Sequence, residues 1–277
     1  MPPPAFSEVG KACSSLLNGS PASGAFVFDP KVTYTGATSC GLSFTTTAVV
    51  KKEGKVDATL KAAWSSKKCS GDATLDPAGK LAVSTALLGV APGLKLSTSF
   101  VVPDPSSAKL IVEYGMPYLN IKSNVGLTSS PEVGLIASTA YKNVVLGADC
   151  TFDTAKSAVS KWNAGVGYHA ADFQVAAFLN NKASDVKLTY SQVISPKQSI
   201  GAEIVRKLAS NDTTYTVGYS RLLDNGALTK VKIDNVGLLS VLYETKLSTG
   251  EKLGTSVQFQ ATDLAKPVKY GFALSLC

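Results

Sequence analysis

Charge is scarce in this 277-residue chain: Asp, Glu, Lys and Arg together make up 17% of it, against about 25% in a typical soluble domain. Long apolar runs are missing too. The longest, Ala86-Leu87-Leu88-Gly89-Val90-Ala91 and the stretch 175–179, are of strand length, whereas a membrane-crossing helix needs about 18 or more consecutive apolar residues. Even the uncharged window 32–50 is full of Thr, Ser and Gly. Helical membrane spans are therefore excluded. Disorder is not expected either, because 45% of the residues are hydrophobic and such a chain can bury enough surface to offset ordering.

Other absences narrow the chemistry. Met1-Pro2-Pro3-Pro4 supplies no basic start and no apolar stretch follows it, so a secretory leader is not expected. The five cysteines (Cys13, Cys40, Cys69, Cys150, Cys277) include no C-x-x-C pair; free thiols are expected, not a zinc or dithiol centre. Histidine occurs once, at His169, and alone it can build neither a triad nor a metal cluster. No phosphate-binding glycine loop stands between a strand and a helix. Gly165-Val166-Gly167 falls within a strand pattern, where glycine means a thin wall or a close approach. No catalytic residue, cofactor or metal is expected, and the chain does not read as an enzyme.

What is present is an alternation of period two. In Leu253-Gly254-Thr255-Ser256-Val257-Gln258-Phe259-Gln260-Ala261 one side is Leu, Thr, Val, Phe, Ala and the other Gly, Ser, Gln, Gln. The stretches 56–64, 94–102, 119–127, 186–190 and 268–276 repeat the pattern, as expected of strands with one apolar and one polar face. Turn signals recur every 12–15 residues or so, among them Glu53-Gly54, Ser70-Gly71-Asp72, Asp104-Pro105-Ser106-Ser107, Asn180-Asn181 and Asp224-Asn225-Gly226. About nineteen strands fit, the first near 25–35 and the last near 268–276. Only the start differs: Phe6, Val9, Cys13, Leu16 and Leu17 stand at helical spacing, and Asn18-Gly19-Ser20-Pro21 ends the run. Two parts are expected: an amphipathic helix and linker over 1–24, with a flexible segment at 21–24, and one β domain over 25–277.

Three architectures share this period: a soluble sandwich or propeller, a bacterial outer-membrane barrel, and an organellar barrel. The apolar faces carry almost no charge. The polar faces hold Gly, Ser, Thr, Ala and Asn with a set of lysines, Lys61, Lys95, Lys109, Lys122, Lys187, Lys230, Lys232 and Lys269. Small polar side chains suit the wall of a wide, water-filled barrel. Uniformly short turns and no leader argue against the bacterial type, and point to the mitochondrial outer membrane. The all-β expectation is thus a transmembrane β-barrel of about nineteen strands, whose short N-terminal α-helix either docks in the lumen through Phe6, Val9 and Leu16 or lies on the membrane surface. The lysines would raise the local anion concentration.

Several blocks resemble the voltage-dependent anion channels, the eukaryotic mitochondrial porins. Phe6-Ser7-Glu8-Val9-Gly10-Lys11 is similar to that family's N-terminal helix, and Pro92-Gly93-Leu94-Lys95-Leu96 to its Gly-Leu-Lys stretch. Phe152-Asp153-Thr154-Ala155-Lys156-Ser157 and Gly165-Val166-Gly167-Tyr168 match mid-chain segments, and Val231-Lys232-Ile233-Asp234-Asn235-Val236-Gly237-Leu238 resembles the signature near the C-terminus. The family's barrel has nineteen strands, so strand count and resemblance are not independent. The chain departs by having no Glu-Lys-Trp near Leu75-Asp76; properties tied to a membrane-facing glutamate there are not carried over. The cast is plant-, algal- or fungal-like. The resemblance implies a voltage-gated, weakly anion-selective outer-membrane pore for ATP, ADP, phosphate and other small hydrophilic metabolites. It also favours the lumen over the membrane surface for the N-terminal helix, and implies a gating role for the segment holding Phe6, Val9, Gly10, Lys11 and Leu16, and nucleotide interaction at Gly93, Leu94 and Lys95. Membrane lipids and permeant anions are the expected partners, with room for a homo-oligomer or docked kinases and other proteins; nucleic acid is not expected. The alternatives are a related import pore, whose lumen would be more acidic, or a docking scaffold.

Overall fold

The computed structural model describes residues 3–20, 24–51, 54–247 and 250–276. Pro21, Glu53 and Cys277, which figured in the expected linker, a turn and the cysteine set, lie outside them. Nineteen strands, from Lys31–Ala37 to Lys269–Leu276, form a closed barrel in which each strand pairs with its sequence neighbours. Every neighbouring pair is antiparallel except the closure, where Ala273, Leu274, Ser275 and Leu276 pair in parallel with Lys31, Val32, Thr33 and Tyr34. An odd-numbered meander leaves its first and last strands running the same way, so closure must be parallel. Closure also removes both sheet edges, which no bilayer could hydrate.

The wall is one sheet thick, and the molecule is hollow. Its accessible surface is 16356 Å², whereas a compact monomer of this mass would expose about 11,000 Å². Large apolar side chains sit on the outside: Leu60, Leu87, Val102, Leu135, Tyr215 and Phe272 are all exposed. In water such a surface would aggregate; in a bilayer it is the solvated face. Of the aromatic side chains borne by the described strands, only Phe178 stands on the inward register.

Three local readings are corrected. The first barrel strand begins at Lys31 rather than near 25, because the preceding residues lie across the inner wall: Val27 N–H donates to Ser256 Oγ at 3.1 Å, and a Cβ on Gly271 would meet the backbone of Phe28 and Asp29. Ser70-Gly71-Asp72 is not a turn but part of the strand Cys69–Leu75. Gly71 pairs with Trp64, and a Cβ there would collide with the Trp64 indole, so the glycine makes room for a ring. Finally, the N-terminal helix is broken. A 3₁₀ turn, Phe6–Glu8, and an α-helix, Lys11–Leu17, are separated at Gly10, whose φ of 70° lies in the left-handed region.

Candidate functional site

Inside and outside are fixed by the N-terminal segment. Ser138 Oγ donates to Pro4 C=O at 2.8 Å, Cys13 Sγ approaches Ala202 C=O at 3.3 Å, and Lys230 Nζ donates to Ser15 C=O at 2.8 Å. Together with the Val27–Ser256 bond, these contacts run from the strand Glu132–Tyr141 round to the strand Lys252–Gln260. A segment this short touches so many strands only from the concave side. Opposed residues of neighbouring strands share a face and alternate residues swap faces, so the pairing carries this assignment around the barrel.

The seat for the segment is cut by small residues. Gly147 and Gly165 are register partners; a Cβ on Gly147 would strike the Phe6 ring, and one on Gly165 the Phe178 ring with Phe6 close beside it. Gly167 leaves space for Val9 and Gly218 for Leu16 and Leu17, while its partner Gly201 lies beside Leu16 and Cys13 at ordinary contact distance. Phe6 packs edge-on against Phe178 with centroids 6.1 Å apart. Gly10 turns directly over Phe178 and Thr189, which a Cβ would meet at 3.1 Å. Val9, Cys13, Leu16 and Leu17 are all buried. Each large aliphatic side chain so buried gains about 1.5–3 kcal/mol over exposure. Lys11 faces away and pairs with Glu8 at 2.6 Å. Burial pushes the Cys13 thiol up to about 11, helped by the nearby Glu203 carboxylate.

Lys230 is a clasp. Besides Ser15, its ammonium donates to Gly24 C=O at 3.2 Å. Ser15 belongs to the last turn of the helix, where carbonyls lack partners within the helix and a cation is favoured. The residue is only 2% exposed. Its ammonium is therefore spent on the N-terminal segment instead of lining open lumen, unlike the expectation from sequence. Lys232 differs in the same direction: its ammonium lies 4.7 Å over the Phe26 ring.

The other six expected lysines also stand on the inward register, but several face carboxylates that the sequence reading had passed over. Lys61 lies 3.5 Å from Asp72, and Lys187 is 2.6 Å from Glu203. Glu113 sits between Lys122 at 2.7 Å and Lys95 at 3.5 Å, since the three residues are opposite one another on adjacent strands. Lys109 and Lys269 are exposed near strand starts. Within the nineteen strands, thirteen lysines and ten carboxylates occupy the inward register, and no Lys, Asp or Glu is on the outward one. The more exposed of these pairs contribute about 0–1 kcal/mol each; what all of them change is the field, leaving a small positive surplus instead of a uniformly basic wall. Gly93 makes the turn before Lys95 with φ 79°. His169 ends the strand Ala158–His169 on the inward side, half-buried. No cluster of three metal-ligating side chains occurs among the described residues. The seat was legible in hindsight only: glycines at alternate positions in 165–167 read as thin wall, and nothing local said what fills it.

The family model described as eukaryotic porin matches residues 2–271. The chain is 28% identical over 274 residues to mitochondrial outer membrane protein porin 4 of Arabidopsis thaliana, covering 99% of this chain and 98% of that protein. It is 30% identical over 279 residues to the mitochondrial outer membrane protein porin of 36 kDa of Solanum tuberosum, with the same coverage. Among solved structures, a triple mutant of the Rh. blastica porin aligns with a TM-score of 0.49 at 11% identity, over 78% of this chain and 88% of that one.

Proposed function

The chain belongs to the eukaryotic porin family, and from that premise we propose that it is a voltage-gated, weakly anion-selective pore whose N-terminal segment is the gating element. Membership makes it an outer-membrane conduit for metabolites in mitochondria, in contact with lipid, and not an enzyme. Passage of ATP, ADP, phosphate and small carboxylates is the finer reading. The observation that supports it is the sorting of strand charge onto one face with a lysine surplus. At a Debye length of about 8–10 Å in physiological salt, a surplus of that size biases a wide water-filled pore towards anions without closing it to cations. In this reading Lys61, Lys95, Lys109, Lys122, Lys187 and Lys269 contribute to that field, and nucleotide interaction falls to Lys95 and the Gly93 turn, since Leu94 is on the outward register.

The test is direct. Purified protein in planar bilayers under a KCl gradient should show a reversal potential on the anion side. Lys61→Glu, Lys95→Glu and Lys122→Glu combined should move it to the cation side. An unchanged potential in a conducting triple variant would remove these lysines from the selectivity mechanism.

A further inference from the structure

Arginine occurs only at 206 and 221, and the pairing puts both on the face opposite the lysines. Arg206 is opposite Thr213 and Val186, and Arg221 is opposite Gln198 and Thr229. The inward residues of the same strands include Gly201, Glu203, Gly218 and Ser220, which adjoin the helix seat or the Lys230 clasp. So the outward register of the barrel strands carries two charges in all, both guanidinium, while every strand lysine stands on the inward register.

The two positions are matched in height. They lie one near each rim of the hairpin formed by the strands Gln198–Lys207 and Thr213–Leu222. Arg206 is level with Thr213, and Arg221 is eight residues further along that strand, about 27 Å at about 3.4 Å per residue. With strands tilted about 35–45°, that is about 20 Å along the membrane normal. The outward residues between them are Ile200, Ala202, Ile204, Tyr215, Val217 and Tyr219. Both arginines are exposed. Their long stems can carry the charge beyond this apolar band to the headgroups. Arg206 Nη2 donates to Asn211 Oδ1 at 3.1 Å, which holds that guanidinium at the rim. Arg221 has no protein partner among the described residues.

We propose that Arg206 and Arg221 each bind the phosphodiester of a membrane lipid, one in each leaflet, and so staple this hairpin across the bilayer. This rests on the barrel spanning a bilayer. An outward side chain at the rim of a membrane barrel meets lipid phosphate. The planar fork of arginine engages such an oxyanion through two parallel hydrogen bonds, and the group is more weakly hydrated than ammonium. Lysine, a strongly hydrated point charge, is kept for the lumen. The stapled hairpin is the one that seats Leu16 and Leu17 on its inner side, so the lipid contacts fix the height of the helix seat in the membrane.

With only two arginines, protein labelled with ¹⁵N-arginine gives two guanidinium signals, assigned by R206Q and R221Q. In phosphatidylcholine bilayers prepared in phosphate-free buffer, both should dephase strongly on ³¹P recoupling in solid-state NMR. R206K and R221K should each lose the corresponding contact while leaving channel conductance unchanged. Signals that do not dephase in a sample that conducts would overturn the staple and leave the pore standing; a sample without conductance would instead count against the pore. Dephasing of one signal only would overturn the two-leaflet form. Dephasing that appears only on adding inorganic phosphate would identify a free-anion site and also overturn it.

Discussion

Single side chains decide most about the seat. Cys13 and Cys40 differ by environment alone. Cys40 is exposed in the turn after the strand Lys31–Ala37, and hydrogen bonding from Thr38 Oγ1 holds its thiol below the ordinary value. Cys13 is buried and raised from 9.0 to about 11. A water-soluble maleimide at pH 7.5 should therefore modify Cys40 rapidly and Cys13 at least tenfold more slowly, read by mass spectrometry. The sign of the pH effect follows. Seating favours the neutral thiol, so its contribution is complete below pH 9, and docking weakens as pH rises from 9 through 11, because the unseated thiol ionises first. Labelling of Cys13 should then accelerate more steeply than thiolate formation alone predicts. Equal rates for the two cysteines at pH 7.5 would contradict the buried seat.

At the scale of elements, the helix is held by shape on one side and by a charge at its end. Gly218 has no left-handed backbone demand, so Gly218→Val keeps the strand and fills the space that Leu17 occupies. Overpacking of this kind costs about 1–3 kcal/mol, which the segment can avoid by leaving. Lys230→Met removes the clasp from Ser15 and Gly24 with little change of volume. Either variant should raise current noise and shift the voltage at which the pore closes, with the double variant the strongest. Normal gating in a correctly folded Gly218→Val channel would show that the docked helix is not the gating element. The break at Gly10 was not legible in the spacing of Phe6, Val9 and Leu16. The apolar stripe runs through both halves because both press on the same wall. Likewise Ser70-Gly71-Asp72 carries turn composition, yet Gly71 serves the Trp64 ring across the strand pair.

For the whole molecule, the quantity that matters is the difference between two large sets of inward charges. A small surplus spread over a wide lumen is easily screened. Anion preference should fall towards unity as KCl rises to 1 M, where the Debye length is about 3 Å, and grow at 0.01 M. Selectivity independent of salt would call for a narrow constriction in place of a field. The eight expected lysines were readable because the period-two pattern separates faces without any knowledge of neighbours. Their carboxylate partners were not, since Glu113 meets Lys95 and Lys122 only after three strands are laid side by side.

Low charge, no long apolar run and period-two alternation pointed to a membrane barrel and to the sorting of lysine to one side, while the count of nineteen strands leaned also on the family resemblance. Those properties belong to single strands, each of which must present one face to lipid and one to water. What the tertiary structure decided lies between strands. Closure brings Gly147, Gly165, Gly201 and Gly218 into a seat, sets Lys230 beneath the end of the helix, and pairs cations with anions from separate hairpins. It also puts the two arginines, identical to lysine in formal charge, on the outer wall. Such arrangements depend on register, and register is fixed only when the whole sheet closes.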